Sequence, residues 1–255
     1  MPPVALTIAG SDPSGGAGIQ ADLKTFHQFG VYGEAVITLL TVQNSVRVSR
    51  CEVVAAELVA EQLEAVLEDI PPVAVKTGAL GSADVVRLVA RAAVQFGFAL
   101  VVDPVISSTH GLALLDETGV RALREELLPV AALVTPNIPE ACALAGTADV
   151  REAARRLRQL GARAVLIKGG HSSGDATDVL FDGAEWREFS APRLETAHTH
   201  GTGCAYSAAI TAGLACGLPP GEAVARAKRF IHEAIRTSPA LGRGRGPLNY
   251  HVGVA

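Results

Sequence analysis

The sequence has little charge, little cysteine and no long apolar run. Charged residues make up 19% of its 255 positions against 49% hydrophobic ones, so a buried core is well supplied and disorder is excluded over most of the length. A net charge of −4 provides no broad basic face for nucleic acid, although a local basic pocket for phosphates is compatible with it. The four cysteines, Cys51, Cys142, Cys204 and Cys216, form no C-x-x-C pair and no regular framework, which points to a reduced, cytoplasmic protein. No stretch approaches the ~18 apolar residues of a membrane span. Met1 to Gly10 carries no basic segment and only a short apolar run, so a signal peptide is not expected. A G-x-x-x-x-G-K-[ST] motif is missing, which disfavours a P-loop NTPase. No linker, repeat or low-complexity stretch divides the chain, so one domain over residues 1–255 is expected.

What is present is an alternation of short β-rich runs and longer helical patterns. Strands are expected at Val4–Ile8, Ala35–Val42, Val73–Thr77, Ala99–Val102, Ala132–Thr135 and Ala164–Lys168. Helices are expected at Ile19–Phe29, Ala55–Asp69, Ala83–Phe96, Thr118–Leu128, Val150–Leu160, Gly203–Cys216 and Gly221–Ser238. A hairpin is expected to pair Thr177–Phe181 with Glu185–Phe189 through Asp182-Gly183. This pattern reads as an α/β protein: a mostly parallel sheet covered on both faces. The Gly- and Arg-rich tail Gly242–Pro247 reads as a surface loop.

Ligands of such sheets bind outside the carboxyl ends of the strands, and the polar and glycine clusters fall there. Gly10–Gly18 runs from a strand into a helix and can present backbone N–H groups to a ligand; a plain flexible turn is the alternative. Gly16, Gly18 and Ala21 fit G-x-G-x-x-G/A, but six residues too far from the strand for a dinucleotide site, and the second strand ends at Gln43, not at an acid. Thr199–Cys204 leads directly into an apolar helix, and Gly201, Thr202 and Gly203 can form an anion hole at its start. Cys204 stands where a helix dipole lowers a thiol pKa, so it can act as a base, or it can pack as a small hydrophobe. Asp103 ends a strand, and Asn137 and Glu140 form N-x-x-E, suited to magnesium through water or to a helix capping box. Lys168, followed by Gly169 and Gly170 and then His171, suits a nucleotide phosphate or a solvated turn. His198 and His200 have H-x-H spacing without a third ligand nearby, so zinc is not expected.

Together these clusters resemble the hydroxymethylpyrimidine/phosphomethylpyrimidine kinases of the ribokinase-like superfamily. The resemblance is carried by Ala5–Phe26, Val102–Val105, Thr135–Ala141, Ile167–His171 and Thr199–Cys204, in family order over nearly the whole chain. It implies a three-layer α/β/α sandwich, a homodimer, and phosphorylation of a small hydroxymethylpyrimidine with ATP and Mg2+ in thiamine biosynthesis. It further implies that Gly10, Ala17, Asp22, Gln43, Ala79 and Val105 meet the pyrimidine. Asp103 and Glu140 would serve the metal, Asn137 and Lys168 the nucleotide. Gly201, Thr202 and Gly203 would form the anion hole, and Cys204 would be the base. Two stretches depart from the family pattern: Lys76-Thr-Gly-Ala79, where the family commonly reads K-I-G-M, and Ile106–Gly111, which lacks the family's lysine. A pyridoxal or pyridoxine kinase of the same fold is the nearest alternative. A non-catalytic sensor on this scaffold would have lost the anion hole, the lysine or the base, and all three are present.

Overall fold

The computed structural model describes residues 1–108, 111–170 and 174–254. The first strand, β1 (Val4–Ser11), is buried along almost its whole length, as expected of an apolar run inside a parallel sheet. It pairs in parallel with β2 (Tyr32–Gln43) on one side and β4 (Ala74–Thr77) on the other. Beyond β4 follow β5 (Ala99–Val102), β6 (Leu133–Val134) and β7 (Val165–Ile167), all parallel. The hairpin β8 (Ala176–Phe181) and β9 (Trp186–Ala191) closes that edge in antiparallel fashion. At the other edge β3 (Val48–Val53) pairs antiparallel with β2. The sheet order is β3-β2-β1-β4-β5-β6-β7-β8-β9.

Helices cover both faces. Leu6, Ile8, Val75, Leu100, Val102 and Val134 pack under α2 (Ala56–Asp69), α3 (Ala83–Phe96), α4 (Glu117–Ala122), α5 (Ile138–Ala145) and α6 (Val150–Gln159). The neighbouring residues Ala5, Val101, Leu133 and Leu166 face α1 (Gly18–Gln28), α7 (Thr202–Ala215) and α8 (Pro220–Arg236). This one-residue alternation is the period-2 rule of a strand buried on both sides. Each fully buried large side chain, such as Leu6 or Phe26, stabilises by roughly 1.5–3 kcal/mol. The expected three-layer α/β/α architecture is therefore present. Among the described residues no helix is long and apolar enough to cross a membrane.

The structure changes three details. β3 was not expected: Val-Ser-Arg-Cys-Glu-Val is largely exposed and lacks apolar alternation, so only its pairing with β2 makes it a strand. The helix expected over Thr118–Leu128 starts at Glu117 behind the Asp116 cap, then loosens into a π turn at Leu123–Leu127 and a 3-10 turn at Leu128–Val130. The tail Gly242–Pro247 is not a plain surface loop. Gly244 N–H donates to Ser45 Oγ at 3.3 Å, Arg245 N–H to Ser45 O at 2.8 Å, and His200 N–H to Gly246 O at 3.1 Å.

Candidate active site

Gly201 makes the entry to α7. Its φ is +81°, and a β-carbon there would collide with the Gly16 carbonyl, so only glycine fits. The Thr202 hydroxyl donates to Thr199 O at 2.8 Å and fixes the turn. No side chain caps α7, and the N–H groups of Gly203 and Cys204 have no acceptor among the described residues. Two free donors at a helix start, with the dipole behind them, make a place for negative charge. This place falls where spacing put the anion hole, but its free donors are the Gly203 and Cys204 amides, since Thr202 N–H already donates to Thr199 O at 3.2 Å.

These groups line a cavity of about 600 Å³ at the carboxyl ends of the parallel strands. The same cavity brings in Ala17, Asp103, Val105, Asn137, Glu140 and Lys168. Because β5 and β7 flank β6, Asp103 and Lys168 meet although 65 residues apart in sequence: Lys168 Nζ donates to Asp103 Oδ1 at 2.8 Å. Thr135 Oγ1 at 3.4 Å and Ser207 Oγ at 3.3 Å also donate to the buried Asp103 carboxylate. Burial alone would lower the Lys168 pKa, but Asp103 and Glu140 hold it raised, so the ammonium stays charged. Asn137 and Glu140 form the reciprocal capping box of α5, with Asn137 N–H to Glu140 Oε2 at 2.9 Å and Glu140 N–H to Asn137 Oδ1 at 2.8 Å. The capping-box reading of N-x-x-E is thus present, and the cap also lines the cavity. Burial lifts the Glu140 carboxyl to about 7, with Lys168 opposing and Asp103 adding to the rise.

Cys204 differs from expectation. Burial pushes its thiol up to about 11; Lys76 and a hydrogen bond from the Gly18 N–H pull it down, while Asp22 and Asp103 push it further up. A helix terminus is worth about 0.3–1 kcal/mol, less than one pKa unit, so desolvation wins. Cys204 rests as a thiol, not a thiolate.

Four expected contacts do not line this cavity: Gly10, Asp22, Gln43 and Ala79. Gly10 lies against Leu39, where a β-carbon would collide. Asp22 is fully buried and spends Oδ2 on Lys76 Nζ at 2.9 Å and Thr7 Oγ1 at 2.6 Å. Ala79 offers its carbonyl to Thr38 Oγ1 at 2.5 Å, and Gln43 pairs with Val48 at the β2–β3 turn. Val105 lines the cavity as expected; in the departing segment Thr109 and His110 lie outside the described residues, as does His171 of the lysine motif.

The first glycine loop also corrects a reading. The amides of Ser14, Gly16 and Ala17 turn inward onto the Asp12 carboxylate and are not left for a ligand. Asp12 Oδ1 accepts from Ser14 N–H at 2.8 Å and Ser14 Oγ at 2.7 Å. Its Oδ2 accepts from Ala17 N–H at 2.8 Å and Gly16 N–H at 3.2 Å and lies 2.8 Å from His200 Nε2. Burial would raise this carboxyl, but the bonds from His200 and Ser14 outweigh it and hold its pKa at about 2. Asp12 and His200, both absent from the expected site, thus tie the first loop to the anion-hole loop. The Asp-Pro-Ser-Gly run carries an Asx-turn signal; the His200 partnership carries none. Likewise the Gly169 N–H is not available to a phosphate, because it donates to Asp178 Oδ1 at 2.9 Å. Asp178 also takes Tyr206 OH at 2.8 Å and Lys228 Nζ at 2.7 Å. Among the described residues no three His, Cys, Asp or Glu side chains cluster as a metal cage.

An anion hole, a charged lysine, two adjacent carboxyls and a thiol around one cleft of an α/β/α sandwich define a ribokinase-like small-molecule kinase site. A family model described as phosphomethylpyrimidine kinase matches residues 12–249. A hydroxymethylpyrimidine/phosphomethylpyrimidine kinase of Rhizobium meliloti is 49% identical over 98% of this chain and 97% of its own. The thiamine biosynthesis bifunctional protein ThiED of Geobacter sulfurreducens is 51% identical over 96% of this chain, which spans only 51% of that relative. Among solved structures, a phosphomethylpyrimidine kinase of Clostridium difficile gives a TM-score of 0.81 at 41% identity, covering 91% of this chain and 99% of that one. An ADP complex of Bacillus subtilis pyridoxal kinase gives 0.89 at 38% identity, covering 98% of both. The chain belongs to the phosphomethylpyrimidine kinase family.

Proposed function

We propose that this protein transfers a phosphoryl group from ATP to the hydroxymethyl group of 4-amino-5-hydroxymethyl-2-methylpyrimidine, and then to the resulting monophosphate, in thiamine biosynthesis. The observation that carries the reading is the convergence of the anion hole, Lys168, Asp103 and Cys204 on one cavity. The 49% identical relative, matched end to end, supports the pyrimidine as acceptor. The ADP complex of the Bacillus subtilis neighbour supports the nucleotide.

In this mechanism the Gly203 and Cys204 amides stabilise charge that develops on the transferred group. Lys168, held by Asp103, meets nucleotide phosphate as a point charge. Cys204 takes the acceptor's proton. With its pKa near 11 it does so after losing its own proton, so the step gains from rising pH. Asp103 and Glu140 would hold magnesium, an ion that needs only one or two protein carboxylates, and it would neutralise phosphate charge there. A homodimer and a cytoplasmic location belong to the same proposal.

Two outcomes follow. Lys168→Ala is expected to raise the KM for ATP about tenfold or more while acceptor binding changes little; steady-state kinetics with each substrate varied checks this. Equal loss for both substrates would make Lys168 a support of the fold. For Glu140, a carboxyl titrating near 7 is protonated below that pH and then cannot meet a cation. The magnesium concentration for half-maximal rate is expected to rise as pH falls below 7, by up to about tenfold per unit, and this slope is expected to vanish in Glu140→Gln. A wild-type requirement that stays flat from pH 7 to 6 would remove Glu140 from the metal site.

A second reading, pyridoxal kinase, rests on the higher TM-score of the Bacillus subtilis neighbour, 0.89 against 0.81. The test is incubation with ATP and magnesium over a panel of both acceptors, with phosphorylated products resolved by mass. The pyrimidine monophosphate and diphosphate are expected. Pyridoxal phosphate as the sole product would favour the second reading.

A further inference from the structure

Four lysine and arginine side chains line the cavity among the described residues: Lys168, Arg193, Lys228 and Arg245. Lys168 is paired with Asp103. Lys228 holds Asp178 and the Ala176 carbonyl, both at 2.7 Å. Arg193 holds the carbonyls of Gly170 and Gly174, both at 2.8 Å. Arg245 alone of the four makes no side-chain hydrogen bond or ion pair among the described residues, and it is exposed at the rim. A cation left free at a cavity wall, when each of the others is engaged, is available to a ligand anion.

Its backbone is fixed, unlike that of an ordinary surface arginine. The Arg245 N–H donates to Ser45 O at 2.8 Å, and the preceding Gly244 N–H donates to Ser45 Oγ at 3.3 Å. The following residue accepts from His200 N–H at 3.1 Å, and Pro247 bridges His200 in parallel register. Arg245 is therefore clamped between the β2–β3 turn and the residue next to Gly201.

This position decides which anion it meets. In the sheet order, β2 and β3 form one edge, while Lys168 and Asn137 follow β7 and β6 on the far side of β5. Lys168 approaches the anion hole from that far side. The Arg245 backbone is held on the β2 side, at the β2–β3 turn, and its side chain lines the same cavity as Ala17. In the functional reading above Lys168 meets the nucleotide and Ala17 the acceptor, so an anion reached from this side is assigned to the acceptor.

We infer that Arg245 is a specificity-determining residue that binds the phosphate of a phosphorylated acceptor, so that the site accepts a monophosphate for a second transfer. The inference rests on the functional reading above. A guanidinium presents a planar fork suited to two phosphate oxygens, and its loss costs a charge-assisted contact.

The test is steady-state kinetics of wild type, Arg245→Gln and Arg245→Lys on the hydroxymethylpyrimidine and on its monophosphate, with ATP varied separately. Expected for Arg245→Gln is a fall of about ten- to a hundredfold in kcat/KM for the monophosphate, mostly through KM. Change below about twofold is expected for the unphosphorylated acceptor and for the KM of ATP. Arg245→Lys is expected to restore part of the loss. Equal kcat/KM for the monophosphate in wild type and Arg245→Gln overturns the inference and leaves the functional reading standing. A raised KM for ATP with both acceptors assigns the contact to the nucleotide and also overturns it. A wild type that phosphorylates neither pyrimidine overturns the functional reading and this inference together.

Discussion

Cys204→Ala is expected to lower kcat by roughly 10²–10⁴, the range for removal of a general base. Acceptor binding is expected to change little, because the anion hole is made of backbone N–H groups that alanine keeps. The structure sharpens this expectation through pH. Burial holds the thiol near 11, so at neutral pH only a small fraction is thiolate. The kcat/KM of wild type is therefore expected to rise with pH from 7 towards 10 without reaching a plateau, since the basic form gains with each unit. Cys204→Asp replaces a group protonated at neutral pH by one that is ionised. Partial activity is expected there, with the alkaline rise abolished. A near-normal kcat in Cys204→Ala would leave the residue a packing role only. A wild-type profile flat from 7 to 10 would separate proton transfer from Cys204.

The second large effect is on stability. Asp12 is 1% exposed and accepts four hydrogen bonds from Ser14, Gly16 and Ala17 besides facing His200. Asp12→Ala strips that set at once and leaves the buried Gly16 N–H and His200 ring unmatched, at about 1–3 kcal/mol for each that water cannot reach. A loss of about 3–5 kcal/mol is expected, comparable to breaking a buried ion pair. At about 2–4 °C per kcal/mol for a chain of this size, the melting temperature falls by roughly 6–20 °C. The sign with pH is set by the lowered pKa. Stability from Asp12 is present above the unfolded value of about 3.9 and is lost as pH falls towards 2. Wild type and Asp12→Ala are thus expected to converge in stability on acidification from 5 to 2. A variant that melts within 2 °C of wild type at neutral pH would contradict the inward-facing loop.

What the sequence makes legible follows from how local the causes are. The α3 boundaries, Ala83–Phe96, are set by the Ser82 cap and by Gly97 in the left-handed conformation, and both signals lie in the sequence. The same holds for the anion-hole loop, where Gly201 and Gly203 stand immediately before an apolar helix. Asp103, Asn137, Glu140 and Lys168 follow successive parallel strands, and that placement alone brings them to one rim. β3 was hidden because an edge strand with exposed polar residues has no period to detect. The Cys204 thiol was misjudged because desolvation depends on the whole surrounding wall and the dipole only on the helix. The inward turn of Gly10–Gly18 was missed because it needs His200, 188 residues from Asp12 in sequence. The anchoring of Arg245 similarly needs Ser45 and His200, which only the folded chain places beside it.

The most direct test of the central reading is the ratio of kcat/KM for hydroxymethylpyrimidine to that for pyridoxal, measured with saturating ATP and magnesium. The account predicts a ratio above one, in keeping with the 49% identical hydroxymethylpyrimidine/phosphomethylpyrimidine kinase that this chain matches over 98% of its length. A preference for pyridoxal of about tenfold or more, near 1.4 kcal/mol, would contradict it.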